Sequence, residues 1–120
     1  VMEKQIECAV SHGVNVFIYD WYWYDNRPFL ENCLNDGFLK AKNNEKMKFC
    51  LMWANHNATH LWDKRNSDSD LDTVIWNGVV TPEIFSNICD RIIEKYFKKE
   101  NYYCIDGCPV FSVFDIEIRF

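Results

Sequence analysis

The sequence lacks several features that would place it in a common functional class. Its 120 residues contain no apolar run near the roughly 20 residues that a membrane-spanning helix needs. It also lacks an excess of basic residues, since it contains 13 Lys and Arg but 18 Asp and Glu, which gives a net charge of −5. Nucleic-acid binding requires a basic surface, so this balance argues against it. Residues 1–4 lack the basic and then apolar pattern of a signal peptide.

The motifs of phosphate chemistry and of serine nucleophiles are missing as well. There is no P-loop, no Gly-rich dinucleotide fingerprint and no Gly-x-Ser-x-Gly elbow. We therefore expect no cofactor, and the nucleotide-binding and serine-hydrolase classes have no support in the sequence.

Six cysteines form an even number, which would allow disulfides. Most of them lie on apolar faces, however, where free thiols act as small hydrophobic side chains. We expect buried free thiols at Cys33, Cys50 and Cys89, which favours a reducing compartment such as the cytoplasm. Cys104 and Cys108 flank a three-residue turn and are close enough in sequence to form a bridge.

Two patterns resemble metal sites without completing them. His56 and His60 have the four-residue spacing of a helical metal site, but residues 57–59 lack the glutamate of the zinc-protease motif. The acidic segment 68–72 begins like a calcium loop, yet Thr73 stands where that loop needs glycine. We expect no metal at either place.

The chain does contain apolar segments that alternate between strand and helix patterns. Strands are predicted near residues 14–20, 47–54 and 109–115, and the helix stripes are also clear. The predicted helices cover 1–12, a segment capped by Asp25 or Asn26 with Pro28 in its first turn, and a segment that starts at Thr81. Such alternation predicts an α/β fold made of parallel βαβ units with strands buried on both faces.

Polar and aromatic residues follow the strands at the ends where α/β proteins place their sites. An aromatic group beside carboxylates suits a sugar, since rings stack on its apolar face and acid groups bind its hydroxyls. The predicted substrate-binding residues are Asp20, Trp21, Tyr22, Trp23, Trp53, Asn55, His56 and Trp62. The aromatics would stack on the sugar, and Asn55 and His56 would bind hydroxyls. Core packing is the alternative for the tryptophans, and a salt bridge or helix cap for Asp20 and Asp115.

Four segments together resemble a known family. They are 13–24, 49–56, 61–62 and 101–112, with Trp-Ala-Asn in the second and Asp-Gly-x-Pro in the last. The chain resembles the WbsX-type proteins, a glycoside hydrolase family 99-like group with a (β/α)8 barrel. The resemblance implies carbohydrate chemistry: family 99 enzymes are endo-acting α-mannosidases, whereas WbsX proteins are named as glycosyltransferases of polysaccharide biosynthesis.

The chain departs from the family at informative positions. His56 stands where many members carry Glu, Ala58 where many carry Trp, and no segment matches the family's Trp-Asn-Glu-Trp-like catalytic glutamates. A (β/α)8 barrel typically needs about 250 residues. We therefore expect 1–120 to be a single α/β domain forming about half of a barrel, with the catalytic residues outside it.

Three functions remain open on this basis. The first is the substrate-binding rim of a family 99-like glycosidase, which the rest of the parent chain or a partner would complete. The second is a WbsX-like glycosyltransferase, and the third is a non-catalytic glycan-binding α/β module. All three take a glycan or polysaccharide as the ligand.

Overall fold

The computed structural model describes residues 1–62 and 72–116, except for the side chain of Trp62. Within these residues the α-helices are α1 (Met2–Ser11) and α2 (Pro82–Ile92). The strands are β1 (Val16–Tyr24), β2 (Arg27–Phe29), β3 (Lys48–Trp53), β4 (Ala58–Thr59), β5 (Val74–Trp76), β6 (Cys104–Ile105), β7 (Cys108–Pro109) and β8 (Phe111–Val113). Two π-helical segments (Cys33–Phe38 and Ile93–Phe97) and two 3-10 turns (Asn44–Lys46 and His60–Trp62) join them.

A four-stranded sheet in the order β2-β1-β3-β8 forms the centre of the fold. Strands β1, β3 and β8 are parallel, which confirms the predicted α/β class, while β2 is antiparallel to β1. The register pairs Trp21 with Trp53 and Trp53 with Val113. Residues at the carboxyl ends of these strands therefore meet at one edge of the sheet.

The predicted start of the second helix at Asp25 or Asn26 is wrong, because these two residues form the turn of a β-hairpin and the helical segment begins only at Cys33. Their φ angles are 50° and 56°, and β1 pairs with β2 directly on either side of them. Two left-handed residues make the turn whose twist matches that of the flanking strands. Pro28 is tolerated in β2 because an edge strand does not need its missing N–H.

The two faces of the sheet differ in burial. One face, the helix-covered face, carries Trp21, Phe49 and Trp53, whose rings pack among residues of the helical segments. The opposite face, the open face, carries Ile18, which is 65% exposed, and the exposed Asp20. The expectation that β1 is buried on both faces is therefore wrong, because the described helical segments pack on the face that carries Trp21 and leave Ile18 uncovered.

The cysteines are unbridged, but their burial differs from the expectation. All six are free, and only Cys50 among them is buried. The hairpin of β6 and β7 pairs Cys104 with Pro109 and Ile105 with Cys108, so the two thiols lie on opposite faces of the hairpin. Among the described residues, no helix is long and apolar enough to cross a membrane.

The Tyr102 hydroxyl bridges a gap in the four-stranded sheet. The gap lies where the β6–β7 hairpin interrupts the third parallel strand. The chain pairs with β3 at Tyr102, leaves the sheet through the hairpin, and pairs again from Phe111. In the gap, the Tyr102 hydroxyl accepts a hydrogen bond from Leu51 N at 3.2 Å and donates one to Val110 O at 2.7 Å. The Tyr102 side chain thus replaces a backbone hydrogen bond between neighbouring strands, which is missing where the chain leaves the sheet.

A nearly buried carboxylate joins β1 to α2. Glu31 accepts hydrogen bonds from Trp21 Nε1 at 2.8 Å, from Asn35 Nδ2 at 3.1 Å and from Arg91 Nη2 at 2.6 Å. Burial alone would raise the pKa of Glu31, but the hydrogen bonds from Arg91 and Trp21 and the charge of Arg91 outweigh it and lower that pKa to about 2. Glu31 therefore stays ionised and anchors α2 to the sheet.

Candidate functional site

Four side chains of the open face gather at the carboxyl ends of the parallel strands. Backbone pairing continues past the strands, since Ala54 N donates to Trp21 O at 2.8 Å and Phe114 N donates to Trp53 O at 2.9 Å. Tyr22, Ala54 and Phe114 therefore stand in one row across the sheet. The group made of Asp20, Tyr22, His56 and Phe114 is called the rim cluster below.

Ring contacts organise the rim cluster around His56. Its imidazole lies 6.4 Å from the Tyr22 ring at 84° and 5.3 Å from the Phe114 ring at 71°, both edge-on. Tyr22 stacks in turn on Tyr24, with 6.3 Å between the centroids. Phe114 is 63% exposed, so an aromatic face is open to a ligand beside the histidine.

The polar groups of the rim cluster suit hydroxyl recognition. His56 Nδ1 lies 2.8 Å from the carbonyl of Asn57. A carbonyl can only accept, so Nδ1 carries a proton, and in the neutral imidazole Nε2 is an acceptor. Asp20 is exposed on the same face, and burial together with the charge of Asp20 raises the pKa of Tyr22. The Tyr22 phenol therefore keeps its proton.

The loop that carries His56 is held from three sides. The Tyr24 hydroxyl donates to His56 O at 2.9 Å, and Gly78 N donates to Asn57 Oδ1 at 2.8 Å. Gly78 comes so close that a Cβ there would lie 2.7 Å from His56 O. On the third side, Asn55 binds the backbone of Asp115. These hydrogen bonds fix the loop at the end of β3 and so fix the position of His56.

The structure buries three of the predicted substrate-binding tryptophans. Trp21, Trp23 and Trp53 are 2%, 8% and 1% exposed, so their rings are packed away from solvent, and stacking of these rings on a sugar stays a prediction. Trp21 and Trp23 of β1 and Trp53 of β3 all lie on the helix-covered face, where Trp53 stacks on Phe85 at 6.0 Å. Core packing, the alternative left open by the sequence, is confirmed for them. The side chain of Trp62 lies outside the described part of the structure.

The remaining predicted residues stay at the rim. Asp20, Tyr22 and His56 belong to the rim cluster, and Asn55 lies beside it with its amide bound to the backbone of Asp115. Phe114 was missed by the sequence reasoning, although its position near the end of the predicted strand 109–115, directly before Asp115, was a usable signal.

A second aromatic group, which the sequence reasoning also missed, packs against Tyr24 next to the rim cluster. Trp76 of β5 stacks on Tyr24 with the centroids 5.8 Å apart and contacts Phe29 at 4.8 Å. This group joins the small β4–β5 sheet to the β1–β2 hairpin. Nothing in the sequence near Trp76 indicated that partner.

Metal ligation finds no support in the described geometry. His56 lies in a loop and His60 begins a 3-10 turn after β4, so the two are not on one helix. Across residues 1–62 and 72–116, no group of three His, Cys, Asp or Glu side chains is placed to hold a metal ion. Most of the acidic segment 68–72 lies outside the described residues.

Comparison with known proteins identifies the family of the chain. The family model described as glycosyltransferase WbsX matches residues 1–118. Two relatives, each named uncharacterized protein WxcX and found in two strains of Xanthomonas campestris pv. campestris, are 31% identical over 72 residues. That match covers 60% of this chain and 10% of each relative. No solved structure matches the chain. With nearly its whole length matched, the chain belongs to the WbsX glycosyltransferase family.

Proposed function

We propose that the rim cluster binds a glycan, as the substrate-binding part of a carbohydrate-active enzyme with family 99-like, endo-acting glycosidase-type chemistry. The observation that carries this proposal is the exposed Phe114 ring beside His56 at the carboxyl end of a parallel sheet. Sites of α/β proteins lie at that end of the strands. Membership of a polysaccharide-related family supports a sugar as the ligand.

Each member of the rim cluster has a part in this proposal. Phe114 offers its exposed face to the C–H groups of a sugar ring, while Tyr22 borders the other side of His56. Asp20 accepts hydrogen bonds from sugar hydroxyls, and hydrogen bonds to a carboxylate are stronger than those between neutral groups. His56 binds a further hydroxyl, as the sequence predicts.

The proposal includes a partial (β/α) barrel, with residues 1–120 as one domain forming about half of it. Strands β1, β3 and β8 are parallel neighbours in chain order, and the helical segments pack on one face. Doubly wound sheets instead reverse their strand order and cover both faces. The catalytic residues would then lie in the rest of a parent chain or in a partner that completes the barrel.

Glycosyl transfer is the second candidate, because the matching family is described as a glycosyltransferase. A transferase needs a site for a sugar-nucleotide donor, and the sequence contains no phosphate-binding loop. Titration of the chain with an α-mannan oligosaccharide and, separately, with nucleotide sugars tests the two against each other. Binding of the oligosaccharide alone supports the first candidate, and binding of a nucleotide sugar supports the second.

The Phe114→Ala variant tests the site itself. Loss of a stacking ring should weaken oligosaccharide binding about tenfold, in line with the energy of aromatic contacts. Ile105→Ala is the matched control, since Ile105 is also an exposed apolar side chain but lies on the β6–β7 hairpin. Equal affinities for the wild-type chain and Phe114→Ala in calorimetric titration would contradict the placement of the site.

A further inference from the structure

Asn55 makes a reciprocal pair of hydrogen bonds with a residue 60 positions away in the chain. Its Nδ2 donates to Asp115 O at 2.9 Å, and its Oδ1 accepts from Asp115 N at 2.8 Å. One planar amide thus binds both backbone groups of a single residue. This contact joins the end of β3 to the segment that follows β8.

The contact lies directly next to Phe114. That residue is held on one side by the bond from its own N–H to Trp53 O at 2.9 Å. On its other side, the chain is held by Asn55 through Asp115. With its own N–H bound to Trp53 and the backbone of Asp115 bound to Asn55, the exposed Phe114 ring is kept 5.3 Å from His56.

We propose that Asn55 is a positioning residue of the rim cluster, which holds Phe114 beside His56 by binding the backbone of Asp115. Its consequence for glycan binding rests on the proposed function, whereas its consequence for Phe114 does not. The role replaces the expectation that Asn55 binds sugar hydroxyls, since the amide plane is set by Asp115.

The chemistry of the contact requires an amide. Asp115 offers one donor and one acceptor, and asparagine returns one of each from the same planar group. Aspartate would still accept from Asp115 N but could not donate to Asp115 O. Alanine would lose both bonds.

The experiment compares Asn55→Ala and Asn55→Asp with the control Asn57→Ala in the 1–120 chain. Asn57 lies in the same loop, but its side chain accepts from Gly78 N and does not contact Asp115 through any described bond. NMR follows the exchange rate of the Asp115 amide and the ring-proton shifts of Phe114, and calorimetry follows the affinity for an α-mannan oligosaccharide.

Asn55→Ala should speed exchange of the Asp115 amide about tenfold and weaken glycan binding about tenfold, as the Phe114 ring moves from His56. Asn55→Asp should restore protection of that amide, because the acceptor remains. Asn57→Ala should leave exchange of the Asp115 amide unchanged, because both bonds of Asn55 remain. Unchanged Phe114 shifts and Asp115 exchange in Asn55→Ala would overturn the inference.

The two proposals fail in distinguishable ways. If Phe114→Ala weakens glycan binding and Asn55→Ala does not, the positioning role is overturned and the site stands. If the wild-type chain binds no glycan, the proposed function is overturned, while amide exchange and ring shifts still decide whether Asn55 holds Phe114.

Discussion

The Glu31 carboxylate should contribute a large, pH-dependent part of the stability. Its side chain is 9% exposed and lies 2.6 Å from Arg91 Nη2. Its pKa falls from 4.5 to about 2 on folding. That difference of about 2.5 pH units corresponds to about 3 kcal/mol, at roughly 1.36 kcal/mol per unit. Glu31→Gln keeps the shape and an acceptor for Trp21 Nε1 but removes the charge.

The sign of the pH dependence follows from the lowered pKa. The folded state binds the proton more weakly than the unfolded state, so the stabilisation is complete above pH 4.5 and is lost as the pH falls from 4.5 towards 2. Urea unfolding at several pH values, followed by tryptophan fluorescence, measures the free energy of unfolding. Glu31→Gln should be less stable than the wild type by about 3 kcal/mol at pH 7, and the gap should close near pH 2.

Glu94→Gln is the matched control for this measurement. Like Glu31, Glu94 pairs with a basic side chain, in this case Lys98 at 2.6 Å, but both side chains of this pair are exposed. Exposed pairs of this spacing contribute about 0.3–0.5 kcal/mol. The reasoning about Glu31 would be refuted if both glutamine variants had the same small effect, or if the loss in Glu31→Gln did not depend on pH.

Two further variants test the sheet and the core. Tyr102→Phe should lower the free energy of unfolding by about 1–3 kcal/mol, because Leu51 N and Val110 O lose their hydroxyl partner; an unchanged urea midpoint would contradict this role. Trp53→Ala should cost about 3–5 kcal/mol, because it removes a buried ring that packs on Phe85. A Trp53→Ala chain with wild-type stability but weak glycan binding would restore the stacking role that the sequence predicted.

Local chemistry in the sequence was enough to predict several elements of the fold. The helix predicted to start at Thr81 does so, with Thr81 Oγ1 accepting from Ile84 N at 3.2 Å. Gly13 ends the first helical segment with a φ of 81°, as a C-cap glycine should. The start of the second helix was misread, because two left-handed residues at 25 and 26 form a hairpin turn and the helical segment begins only at Cys33.

The sequence by itself determined the α/β class and the convergence of Asp20, Tyr22 and His56, because alternation of strands and helices dictates where parallel strands end. Tertiary structure decided which aromatic rings are accessible. A strand's side chains alternate, so the registers of β1 and β8 against β3 place Trp21 and Trp53 on the helix-covered face and Phe114 on the open face. It also decided that Glu31 pairs with Arg91 and that Asn55 pairs with Asp115, each 60 residues away. Such long-range contacts depend on packing and leave no local pattern in the sequence.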